Sequence, residues 1–325
     1  MNAIEVQDPT KEDEEMISGT DVLQNEPEER KLSGLENKSW WKIILYCMSF
    51  FLIFFISAIV VDLLTGGIQN PSVRFAIREI FLRLPLTFVL FWLFAHYVIK
   101  KPLSFFLIRK PTKEILKWVG IGFVLPFSVI LIYLIFGKIE LIDHADPLSS
   151  SKITYFVVAT ISMALLGGII EEVLFRGYMF RILEEKWNTA IAILGPAMLF
   201  GSVHLLMINS FGLVNITLVI IPGTLVGVMF GLIVYVTRNI WNVVVIHGIW
   251  NLFLAGRIIR ISAFEKHQFD AIYQLQITSD NILLTGGSFG VESAVPAIAV
   301  YLIAILVLLL YTRSKYLRGT KKEEI

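Results

Sequence analysis

Residues 153–180 read ITYFVVATISMALLGGIIEEVLFRGYMF, and the adjacent pair Glu171–Glu172 in that string decides how the chain is understood. The run from Ile153 to Ile170 is nearly long enough to cross a hydrocarbon core about 30 Å thick. Two carboxylates and Arg176 follow within about a turn and a half of helix. A charge at membrane depth costs ~2.5–3.5 kcal/mol on insertion scales, so a retained one marks function or tight pairing. Helix geometry separates the two acids. Glu172 and Arg176 are four residues apart and share a face, where they can neutralise each other. Glu171 is turned ~100° away, which makes it the candidate base.

The rest of the chain supports a membrane setting. Of 325 residues, 56% are hydrophobic and only 17% charged, against ~45–50% and ~25% in an ordinary soluble domain. The expected fold class is all-α, a polytopic membrane protein of about eight transmembrane helices. The spans fall near 41–64, 80–99, 116–136, 153–185, 189–207, 211–236, 240–254 and 294–311. Pro222 and Gly223 are expected to interrupt the sixth. Residues 1–38 read as a disordered acidic tail, residues 39–318 as the membrane domain and 319–325 as a short charged tail. The acidic start does not fit a signal peptide. A single cysteine, Cys47, excludes an intrachain disulfide and any multi-cysteine metal site.

Basic residues set the expected orientation. Lys100, Lys101, Arg109, Lys110 and Lys113 follow the second span, Arg181 and Lys186 the fourth, and Arg238 the sixth. Arg313 and Lys315 begin the basic stretch after the eighth. With eight spans these locations share one side, which puts both termini in the cytoplasm, in a bacterial plasma membrane. The loop with Asp143, His144 and Asp146 and the segment 262–292 then lie outside. Arg257 and Arg260 conflict with this rule.

Two further polar positions lie in apolar spans. His204 sits in MLFGSVHLLM with Phe200 one turn earlier, and His247 sits in VVVIHGIWN with Asn251 one turn later. His96, His144 and His267 lie at span ends or in loops and receive no role. With 1.5 Å per residue, Glu171 and His204 stand ~21 and ~24 Å above the cytoplasmic end, and His247 and Asn251 ~12 and ~18 Å. Tilt absorbs such differences, so the four can meet in one layer open to water from one side.

A carboxylate, two imidazoles and an amide suit hydrolysis by activated water. No serine or cysteine has a base at helical spacing, which disfavours a covalent nucleophile. Two routes stay open: water activated by Glu171 without metal, and Zn²⁺-bound water held by Glu171, His204 and His247. The helical HExxH signature is absent.

The strings EEVLFR, FGSVH and HGIWN, in this order and in apolar segments, resemble the motifs of the CPBP intramembrane proteases. That family includes the type II CAAX prenyl endopeptidases and the Abi or bacteriocin-immunity proteins. Its pattern E-E-x-x-x-R, F-x-x-x-H and H-x-x-x-N is filled here by Glu171, Glu172, Arg176, Phe200, His204, His247 and Asn251, over residues of about 150–255. The resemblance implies peptide-bond cleavage, with Glu171 and His204 activating water, His247 and Asn251 holding the oxyanion, and Glu172, Arg176 and Phe200 in support. It implies a peptide or lipidated-peptide substrate in contact with membrane lipid, and no nucleic acid. Two competing readings are a scaffold for another membrane protein and a proton-coupled carrier with a broken span.

Overall fold

The computed structural model describes residues 34–136, 138–142, 147–263 and 271–323, with side chains as far as residue 314. Almost all of residues 1–38, and the loop with Asp143, His144 and Asp146, lie outside the described residues, as does His267. The expected all-α polytopic architecture is present. Among the described residues, seven helices are long and apolar enough to cross a membrane: α1 Trp40–Thr65, α2 Pro71–Ile99, α3 Ile115–Ile135, α4 Ser150–Lys186, α5 Thr189–Met207, α6 Leu213–Thr237 and, after an intervening helix, α8 Val295–Ser314. The intervening α7, Trp241–Ala255, is apolar but shorter.

The structure corrects three expectations. α2 begins nine residues earlier than the hydropathy reading, at Pro71, because Asn70 caps its first turn by accepting a hydrogen bond from Val73 N. α6 runs unbroken through Pro222, which removes the broken-span support for a carrier. The tight α5–α6 contact explains why it can. A Cβ on Gly223 would lie 2.7 Å from the Gly201 Cα, and one on Gly227 would lie 2.7 Å from the Ala197 Cα. Small residues four apart let the two backbones touch, and close packing holds helices together where lipid supplies no hydrophobic drive.

The third correction concerns the segments that follow α3 and α7. Strands β1 Ile139–Ile142, β2 Ile259–Ser262 and β3 Tyr273–Ile277 form a sheet of order β1-β3-β2. β1 pairs antiparallel with β3, and β2 pairs parallel with it. The sheet ties the loop after α3 to the segment after α7, at the end of the bundle where α4 begins.

The opposite end is knitted by basic residues. Arg181 Nε donates to Phe105 O at 2.9 Å, and Lys186 Nζ donates to Glu36 O and Lys38 O. Arg238 pairs with Glu184, and the Trp241 indole donates to Arg109 O at 2.5 Å. Four chain segments far apart in sequence therefore meet on one face.

Candidate active site

The helices that carry the motifs change their winding at the polar residues. α4 opens to i→i+5 hydrogen bonding over Gly167–Glu171 and again over Val173–Met179, and α7 does so over Asn251–Ala255. Such wide turns recur at functional sites because they re-aim side chains without ending the helix. α5 tightens instead, into a 3₁₀ turn over His204–Met207. Gly167 allows α4 to lie against α7 at this level. A Cβ there would overlap the Asn251 amide nitrogen and stand 3.3 Å from His247 Nε2.

Behind the site is a dry ionic brace. Glu172 is fully buried and Arg176 almost so. Glu172 Oε1 accepts from Arg176 Nη1 at 2.9 Å, as the four-residue spacing predicts. The same oxygen accepts from His247 Nδ1 at 2.8 Å, a link between α4 and α7 that helical spacing cannot foresee. The carboxylate only accepts, so Nδ1 carries the hydrogen and Nε2 is left for other work. Arg176 is also stacked over Phe200 at 4.5 Å and Phe230 at 5.2 Å, and donates to Gly227 O at 3.4 Å. Aromatic faces and a carbonyl compensate part of the cation's lost hydration.

In front of the brace lies a cavity of about 960 Å³. Glu171, Phe200, His204, His247 and Asn251 all line it, while Glu172 and Arg176 sit behind its wall. His204 Nδ1 donates to Phe200 O at 2.7 Å, so its Nε2 is likewise uncommitted to that bond. The Phe200 ring lies 4.6 Å from His204 and 6.1 Å from His247, between the two imidazoles. Asn251 Nδ2 donates to Met163 O at 3.4 Å. Three helices thus turn an acid, two imidazoles and an amide to one hollow.

Sequence reasoning missed several cavity residues. Glu79 and Arg83 of α2 line it and pair at 3.1 Å. Their signal was available as a four-residue charge spacing in an apolar stretch. Glu292 lines it too, and accepts from the Trp250 indole at 2.6 Å. Burial pushes the Glu292 carboxyl above the ordinary carboxylate range, and the indole hydrogen bond and both site histidines oppose the rise. Phe289 places its ring 5.6 Å from His204. No periodic pattern announces either residue. Arg257 and Arg260, which conflicted with the charge rule, also line the cavity.

Of the two routes the sequence leaves open, the zinc-bound water is not supported by this geometry. Among the described residues, no group of three or more His, Cys, Asp or Glu side chains is gathered closely enough to hold a metal ion. Glu171, His204 and His247 share the cavity without forming a ligand set.

Fold and site together define a class: a polytopic membrane protein with a polar cluster gathered around a cavity among its helices. Residues 153–253 match the family described as type II CAAX prenyl endopeptidase Rce1-like. The match covers about a third of the chain, and it contains all seven motif residues. A comparison with curated proteins finds no match.

Proposed function

We propose that the chain is an intramembrane endopeptidase that hydrolyses a peptide bond of a membrane-associated or small peptide with a water activated by Glu171. The observation that carries this reading is the convergence of Glu171, His204, His247 and Asn251 on one cavity. Glu171 takes a proton from water, and His204 orients that water through Nε2. The hydroxide adds to the scissile carbonyl carbon, and the C=O pair moves onto oxygen. Asn251 Nδ2 and His247 Nε2 face that oxyanion. His247 Nε2 donates only while the ring holds both protons, and Glu172 is the counter-charge for that form. Collapse of the tetrahedral species breaks the C–N bond, and Glu171 returns its proton to the leaving nitrogen.

Glu172 and Arg176 act at one remove. They fix the ring of His247 and supply charge balance where water is scarce. The test is Glu171→Gln, with His204→Ala beside it, in purified membrane-inserted protein. Both variants are expected to fold and to leave peptide uncleaved. Retained cleavage in Glu171→Gln would remove the proposed base.

A further inference from the structure

The two ends of the helix bundle differ in charge and in access. One end gathers the loop between α2 and α3, the end of α4 and the α6–α7 turn, with Lys110 O accepting from Asn239 Nδ2 at 3.2 Å and Ile240 N donating to Leu107 O at 3.2 Å. This end holds Lys100, Lys101, Arg109, Lys110 and Lys113, together with Lys186 and Arg238. Short loops rich in Lys and Arg stay on the cytoplasmic side of a membrane. None of these loops contributes to the cavity wall.

The cavity is walled instead from the other end. Ile261 and Ser262 of β2 line it, as do Met207 at the end of α5 and residues 287–292 ahead of α8. Ser288 and Asp280 are exposed and line it as well, which puts them at its mouth. The segment before α8 is firmly built. Ser293 Oγ bonds to Gly286 O at 2.8 Å and Gly290 O at 2.9 Å, and Tyr133 of α3 donates to Leu284 O at 2.5 Å. The route to Glu171 therefore leads through the face opposite the basic loops.

We infer that this site is loaded from the extracytoplasmic face, and that its substrate is a peptide segment that has already crossed the membrane. This rests on the protease reading above and narrows it. Translocation must precede hydrolysis, and a lipidated tail of a cytosolic protein would meet the closed, basic end of the bundle. The same geometry accounts for Arg257 and Arg260. They are basic residues on the outer side because they wall the entrance, where Arg257 is held with its guanidinium 5.9 Å from the rings of Tyr155 and Phe156.

The test uses the full chain with its single cysteine removed by Cys47→Ala, and a membrane-impermeant maleimide as the probe. Ser288→Cys at the mouth and Asn251→Cys in the cavity are expected to gain label in intact cells. Lys113→Cys on the basic end is expected to gain it only after permeabilisation. Label on Lys113→Cys in intact cells would overturn the inference, as would Asn251→Cys reached only from the permeabilised side. Labelling needs no turnover, so the two readings fail separately. A protein that cleaves peptide once solubilised in detergent, but labels in the inverted pattern in intact cells, sinks only the side of access. Correct labelling with no cleavage by the unsubstituted enzyme sinks only the protease reading.

Discussion

Glu172 and Glu171 are neighbours in the chain yet belong to two regions that behave differently. Glu172 stands in the dry brace, with Arg176 and His247 both on one of its oxygens. Glu171 stands on the cavity wall, beside space large enough for a stretch of peptide. One step of ~100° around a helix separates a charge that organises from a charge that can react. The difference is in surroundings: the first organises because Arg176 and His247 hold one of its oxygens behind the wall, and the second is useful because it faces the cavity.

Arg176→Met should have the largest structural effect, because it leaves the buried Glu172 carboxylate without its cation. A loss of roughly 3–5 kcal/mol is expected for breaking a buried pair from one side, read as thermal unfolding in detergent. Glu172→Gln in the same background should recover part of it, and a fully stable Arg176→Met would mean that the brace carries no structural weight. Asn251→Ala probes the other region. Turnover should fall by ~10²–10³-fold, the cost of one oxyanion donor, with the unfolding midpoint held. A comparable fall in both would move Asn251 into the brace.

Gly167→Ala tests the seam between the regions. Its Cβ would meet the Asn251 amide and His247 Nε2, so about 1–3 kcal/mol of overpacking is expected, with cleavage lost more steeply than stability. Unchanged cleavage would show that the α4–α7 approach is looser than the geometry requires.

Glu292→Gln should have the smallest effect. Burial raises the folded pKa of Glu292 above its unfolded value, so its favourable share of stability is complete below the ordinary carboxylate range. That share is lost as pH rises through the raised value. Glu292→Gln keeps an acceptor for Trp250 and removes the titration, so its unfolding midpoint should gain on the wild type as pH rises. Identical pH profiles would place the Glu292 carboxylate in a well-hydrated setting.

Legibility followed the kind of spacing involved. Glu172–Arg176, Phe200–His204 and His247–Asn251 are each one helical turn apart, and a turn is a local rule. α4 and α5 were likewise readable, because ~20 apolar residues have few other fates. α6 misled, since Pro222 signals a break in sequence whereas a neighbouring helix at van der Waals distance supports the chain through it. The three-stranded sheet was illegible because its strands are four or five residues long and pair across the bundle. Glu292 lies 42 residues from the Trp250 that holds it, and no period connects them.

By itself the chain determined its solvent, its helices and the face of each helix that carries a polar group, because hydrophobic length and the 3.6-residue period act locally. Which of two adjacent carboxylates is walled off, which imidazole nitrogen is spent on a carboxylate and which end of the bundle walls the cavity were decided only in three dimensions. Those outcomes depend on distances between separate helices, and no local period encodes such a distance.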